Sequence, residues 1–523
     1  KRKLAEKPAE AAAASLAPTG PVAVGQVFEG VDFTGSSCGC LPPDPNGAVG
    51  GNWIVQTVNT QIRIYDKLTG AVLMDKSLGD FFGAYSRGDP YVVYDGIVER
   101  WYVSAFNSAA DGLFLAVSVS GNPMDGFLPT YVLDRVGGFP DYQKLGFNKD
   151  AIFISYNDFG GDAGAAVASI DKAAALSGVL TYYVAKPLFQ FRAMPPAQME
   201  GDTTGGVQWF VSTDGTESGG TTIRVTKMVN YLSDTPVFTY TSLPVTEYRQ
   251  AVLAEQPGGT LTTFPNTTTT QVRYRNGHLI TSMASGLAPD GFLYPKGLVY
   301  VVDISGGAPT LLQERIIDPG PGVAVQMPSA DEDSNGNLGV SWIQSSGAEY
   351  LSMWVGVIDS AGSLAGSPAG PGGGYFPVNF RLGDYSSTVI DPADPSTFWS
   401  VNEYIGSDGD SVIWRTRIAS FTTGMGVLST SPARDSVVLS LPSEYLVTFS
   451  APYDPASIDV AGFRVNGIAA DAYAARDDRT IALGFPSNPI SGEGPQSFEI
   501  AAGAARRLAD GDPVRAYSGR FRF

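Results

Sequence analysis

The sequence predicts an all-β protein: a seven-bladed β-propeller over residues 25–421, followed by an immunoglobulin-like β-sandwich over 433–523. Three observations point there. Glycine and proline are abundant, at 62 and 36 of 523 residues, which suits many short strands joined by turns. A unit of loop, strand, tight turn and strand restarts at intervals of roughly 45 to 65 residues, the size of a four-stranded blade. Long helical patterns are missing: Lys172 to Leu176 is one short candidate, whereas an α/β barrel needs a helix in every unit.

The clearest copy of the unit is GDYSSTVIDPADPSTFWSVNEY, residues 383–404. Thr388, Val389 and Ile390 favour a strand because β-branched side chains pack well on a pleated surface. Asp391-Pro392-Ala393-Asp394-Pro395 is a turn, since each proline fixes φ and removes a donor. Phe398 to Tyr404 is the returning strand. Upstream, the turn cluster PPDPNGAVG at 42–50 leads into strands at 53–59 and 61–66. The pattern restarts at Gly88-Asp89-Pro90 and at Pro140-Asp141-Tyr142. Less regular restarts follow near Gln198 to Asp202, near Thr262-Thr263-Phe264 and near Gln326-Met327-Pro328.

Residues 1–24 read as a charged leader or tether, and 25–40 as the segment whose strand closes the ring. Residues 422–432 read as a linker. From Ala433 to Phe523 the pattern gives seven short strands, among them Ser436 to Leu441 and Glu444 to Phe449, in a piece the size of an immunoglobulin-like sandwich.

The net charge of −18 argues against nucleic acid, whose affinity rests on Lys and Arg at phosphates, and against an anionic membrane surface. No apolar run reaches the roughly 18 residues of a membrane span. Cys38 and Cys40 are too few for a four-ligand zinc site; a local disulfide or two free thiols are the readings they allow. The single histidine, His278, stands at a turn entering a strand, which suits a structural role and disfavours a Ser-His-Asp enzyme.

The segments PPDPNGAVG, GDPYVVYDGIVERWYVSAF, DYQKLGFNKDAIFISYN and GDYSSTVIDPADPSTFWSVNEY resemble those of a family of large bacterial exported proteins. That family carries a propeller similar in appearance to the sialidase-like ones and has no settled activity. The likeness spans roughly residues 40–421, and LVTFSAPYDPASIDVAGFRVNG resembles bacterial immunoglobulin-like domains. The resemblance implies export and a propeller, and no reaction. The sialidase repeat Ser-x-Asp-x-Gly-x-Thr-Trp and an arginine triad are missing.

In a propeller the residues just before each inner strand gather at one mouth of the channel. Asp44, Asp89, Asp141 and Asp384 hold that place in four units, with Glu200 or Asp202 as a looser fifth. Tyr91, Tyr142 and Tyr385 stand beside three of them, and Lys144 is the nearby cation. Crowded carboxylates raise one another's pKa values, which suits acid–base work on a glycosidic bond by Asp89, Asp141 and Asp384, or a calcium site. Asp44, Tyr91, Tyr142, Lys144, Asp202 and Tyr385 are then ligand contacts. The alternative is that each Asp only caps its own turn. Asp331, Asp333 and Asn335 mimic the start of a calcium loop, although Trp342 stands where a bidentate Glu belongs, and Asn335-Gly336 also reads as a hairpin turn. Trp101, Trp399 and Trp414 are either a sugar-stacking platform or inter-blade packing.

These readings predict an exported or cell-surface protein that binds an extracellular ligand, a glycan or a surface partner, at the propeller mouth. A glycan-cleaving enzyme using the same carboxylates and an inert adhesive protein are the two alternatives.

Overall fold

The computed structural model describes residues 13–523 except 37, 87, 108–110, 134–137, 160–163, 187–193, 214–218, 252, 263–269, 289–290, 377–381 and 409–410. The chain is all-β, and its larger part is a β-propeller. Antiparallel four-stranded sheets follow one another: residues 46–77, 91–133 and 140–185, then 324–370. Between them lie the strands at 197–249 and at 272–317. The last sheet joins Ser387–Asp391, Asp394–Asp408 and Ser411–Thr422 to Ala23–Asp32, which pairs antiparallel with Ser411–Thr422 as the outermost strand. The N-terminal segment thus completes the sheet built by the end of the propeller.

The first strand of each sheet is short and nearly all buried, as in Asn46–Gly50, Tyr91–Asp95 and Ser387–Asp391. Each lies beside the first strand of the next, through Pro140–Phe147, Ala197–Gln198, Val272–Arg275 and Ala324–Glu332, and Ser387–Asp391 returns to lie beside Asn46–Gly50. Where neighbouring inner strands bond directly they are parallel, Phe147 to Gln198 and Ala197 to Val272. Strand starts therefore collect at one mouth of the channel and strand ends at the other. The restart near Thr262 to Phe264 lies partly outside the described residues; the inner strand of that sheet is Val272–Arg275.

Trp101, Trp342 and Trp414 are fully buried and Trp399 is 4% exposed, so they pack the sheets and offer no sugar platform. Their indole N–H groups are satisfied inside, Trp101 on Gly121 O at 2.9 Å and Trp399 on Asp391 Oδ2 at 3.0 Å. The short helix Lys172–Leu176 is present, capped by Asp171. Cys38 and Cys40 form a disulfide. His278 shares a 2.7 Å hydrogen bond with Glu332 Oε2.

The tail forms two further four-stranded sheets with their own core, built on Val447, Phe449, Phe463, Ile481, Phe498 and Phe521. Two expectations change here. Val427–Ser431, read as linker, is a strand pairing with Tyr445–Phe449. Ser436 to Leu441, read as a strand, has only a single bridge, Val437 to Arg522. Its first residues bond to the edge of the sheet at Tyr517–Arg522, with Val438 N on Arg522 O and Arg522 N on Ser436 O, both at 2.8 Å, and Leu439 beyond them is 95% exposed.

Candidate functional site

The first mouth is built by loops that precede inner strands. Asp44 and Asp89 take a left-handed backbone there, with φ of 53° and 50°, and Tyr142 and Met327 take it at irregularities inside Pro140–Phe147 and Ala324–Glu332, with φ of 58° and 44°. Asp enters that region more readily than Tyr or Met, so the loop geometry is imposed by the fold at the latter two. The backbone aligns Tyr142, not Asp141, with Asp89.

The loops are stitched to one another across units. Asp384 N donates to Asp44 Oδ1 at 3.1 Å, and Tyr385 Oη donates to Asp89 Oδ2 at 3.0 Å. Tyr142 Oη donates to Asp384 O at 3.1 Å, and Gln143 Nε2 donates to Asp89 O. Asp44 and Asp89 thus bond groups from the last unit, hundreds of residues away in the chain.

Lys144 fills the centre. Its Nζ lies 3.1 Å from the ring centroid of Tyr142, 3.8 Å from that of Tyr385 and 5.8 Å from that of Tyr91. It is 1% exposed, and Nζ meets no hydrogen-bond acceptor among the described residues. Ring faces replace the missing acceptors. Burial lowers its pKa well below the usual lysine value, against the fields of Asp384, Asp89, Asp141 and Asp44. Tyr91 and Tyr385 are buried, Asp44 is buried, and Asp89, Asp141 and Asp384 are half-buried. The mouth is a shallow acidic dish over a floor sealed by one ammonium and three aromatic rings.

Burial first, then the charges of Asp141 and Asp384, push the Asp89 carboxyl up to about 7, while the Tyr385 bond and Lys144 pull the other way. Behind the rim is a group that sequence reasoning missed. Glu403 is fully buried, its Oε2 accepts Gly383 N at 2.7 Å, and burial raises it to about 8. The signal was available: Asn402-Glu403 is a polar pair inside an otherwise apolar inner-sheet strand.

The remaining candidates lie elsewhere. Glu200 follows the end of an inner strand and lines the opposite mouth, not the acidic one. Asp202 caps a turn, its Oδ1 accepting Thr204 N at 2.9 Å and Thr204 Oγ1 at 2.7 Å. Asp331 is wholly buried and engaged by Arg273 and Arg275. Asp333 accepts the N–H groups of Asn335 and Asn337, the work of a hairpin turn. Among the described residues no group of three or more His, Cys, Asp or Glu side chains is arranged to hold a metal ion.

No protein family matches the chain, and no curated relative does. Among solved structures it is similar to Hsv2 of Kluyveromyces lactis, at 10% identity over 72% of this chain and 97% of that one, with a TM-score of 0.33. It is similar to the WD40 domain of SCAP from fission yeast, at 9% identity over 77% and 96%, with a TM-score of 0.34. It is also similar to U3-55K, at 11% identity over 78% and 99%, with a TM-score of 0.38.

Proposed function

We propose that the chain is an extracellular or cell-surface binding protein that takes a glycan or the surface of another protein on the acidic dish of its propeller. The observation that carries the reading is the half-buried rim of Asp89, Asp141 and Asp384 over the floor closed by Lys144, Tyr91, Tyr142 and Tyr385. Four carboxyl groups including Asp44 surround Lys144, so the dish is lined with oxygen acceptors. Such a rim accepts hydrogen bonds from sugar hydroxyls and pairs with cationic groups.

The reading includes seven blades and an immunoglobulin-like C-terminal sandwich. Supporting the count are the first strands that neighbour one another in a closed ring. Supporting the sandwich are two four-stranded sheets over a separate core. The export assignment rests on the motif resemblance to exported bacterial propeller proteins.

The test is a glycan array read with the wild-type chain and with Asp141→Asn and Asp384→Asn. Binding weakened about tenfold in both, with no sugar released, supports the proposal. Equal binding by wild type and the double variant sinks it. One observation favours a second reading, a glycan-cleaving enzyme: Asp89, raised to about 7 by burial and by the charges of Asp141 and Asp384, has the protonation a general acid needs near neutral pH. In that case reducing ends accumulate with wild type and not with Asp89→Asn.

A further inference from the structure

At the opposite mouth the strand ends enclose a cavity of about 400 Å³, within the range of small-molecule sites. Arg273 and Arg275 alternate on one inner strand, so period-two geometry sends both side chains to the same side. One carboxylate fixes both. Asp331 Oδ2 takes Arg273 Nε at 3.2 Å and Arg275 Nη2 at 2.8 Å, and Oδ1 takes Arg275 Nε at 3.1 Å. Asp331 also accepts the N–H groups of Ile390 and Glu332, both at 2.9 Å. Its acceptor capacity is used up within the protein.

Two guanidinium groups therefore share one saturated carboxylate. Arg273 spends Nη1 on Gln198 Oε1. Arg273 Nη2 and Arg275 Nη1 bond to no described residue, although the side chains are only 6% and 14% exposed. Both arginines line the cavity. Glu200 and Glu99 also line the cavity, and neither forms a hydrogen bond with the two guanidinium groups among the described residues. Asp391, also on the wall, is taken by Lys67 at 2.9 Å. Much of the remaining wall is apolar, with Val389, Ile390, Pro392 and Pro395.

We propose that this second mouth binds a small-molecule carboxylate with an apolar body, its two oxygens on the open guanidinium edges of Arg273 and Arg275 and its body on the proline-rich wall. Guanidinium forks match a planar two-oxygen anion, and Asp331 holds them in place before the ligand arrives. The site is independent of what occupies the acidic dish.

The probe is hydrocinnamate, titrated into the full chain by calorimetry and by ligand-observed NMR. Its neutral isostere hydrocinnamide and phenyl phosphate are the comparisons. Hydrocinnamate should bind in the millimolar range or tighter and hydrocinnamide should not, because the amide brings no charge to the guanidinium edges. Arg273→Lys keeps a cation beside Asp331 but loses the fork, and should weaken hydrocinnamate about tenfold. Arg275→Gln should weaken it at least as much. Glu200→Gln, whose carboxylate forms no ion pair within 4 Å among the described residues, should bind as well as wild type or better. Should Arg275→Gln fail to fold, Arg273→Lys and Glu200→Gln decide. The proposal is overturned by no hydrocinnamate binding up to about 10 mM, the weak end for a ligand of this size. It is equally overturned by equal binding of hydrocinnamide, by binding of phenyl phosphate alone, or by full affinity in Arg273→Lys.

Discussion

Asp89→Asn should flatten the dependence of stability on pH. Asp89 sits at about 7 in the folded chain, against about 3.9 for an unperturbed aspartate. A carboxyl whose folded value is raised binds its proton more tightly in the folded protein than in the unfolded one. Its contribution is therefore present on the acid side and is lost as pH rises from about 4 to about 7. Each pH unit in that window is worth about 1.4 kcal/mol, so wild type should lose about 2.7 kcal/mol from this group between pH 5 and pH 7. Water reaching the half-buried carboxyl reduces this to about 1.5–2.5 kcal/mol. Asparagine is the right probe for two structural reasons. It tolerates the left-handed backbone at this position, where alanine would cost about 1 kcal/mol or more. Its side-chain oxygen can still accept the Tyr385 hydroxyl. Urea unfolding at pH 5 and pH 8 measures the difference. The gap between variant and wild type should shift in the variant's favour by about 2 kcal/mol between pH 5 and pH 8. An unchanged gap between the two pH values, or one that moves against the variant, would refute the reasoning that Asp89 is held protonated by its neighbours.

Three further outcomes follow. Glu403→Gln should gain on wild type as pH rises from about 5 to about 9, because the wild-type carboxyl, raised to about 8, must ionise in a buried place; equilibrium unfolding at both pH values reads this. Gly339→Ala should cost about 1–3 kcal/mol in urea unfolding, since its new Cβ would fall 2.3 Å from the buried Phe398 ring, where the preceding sheet packs on the last one. Arg434→Ala should loosen the tail: Arg434 Nη2 donates to Gly25 O at 2.6 Å and Ser518 O at 2.7 Å, so hydrogen exchange at Tyr517–Arg522 should speed up while that at Tyr91–Asp95 stays the same.

Much of the propeller was legible because its punctuation is local. Proline, glycine and aspartate mark each loop before an inner strand, and they act on the backbone whatever the tertiary context. That same punctuation brought Asp44, Asp89 and Asp384 to one mouth. The register was read one residue out in the third unit, where Tyr142 holds the left-handed position that Asp89 holds in the second. Sequence resemblance between Gly88-Asp89-Pro90 and Pro140-Asp141-Tyr142 aligned the acids, whereas the backbone aligns the turn. In the tail, Ser436 to Leu441 alternates as a strand should, yet alternation says only that one face could be buried. Whether a sheet buries it is a tertiary fact: the segment touches the edge strand Tyr517–Arg522 only at its start, and Leu439 and Leu441 are left exposed.

The opposite mouth was harder to read for a different reason. Strand ends carry no turn signature of their own, so Glu200 was grouped with the acids that precede strands, although it follows one. Yet a trace was present in Val-Arg-Tyr-Arg at 272–275. Two arginines two residues apart on a four-residue strand must share a face, and in an inner strand that face looks into the channel. A buried guanidinium needs a carboxylate, and a pair of them needs more than one or a ligand. Asp331 supplies one, from a segment that the sequence offered as the first residue of a calcium loop. The residue that imitates a metal ligand in the sequence thus serves as an anchor for cations of the protein's own. The guanidinium edges it leaves open line the cavity, and they are the feature that a carboxylate ligand would complete.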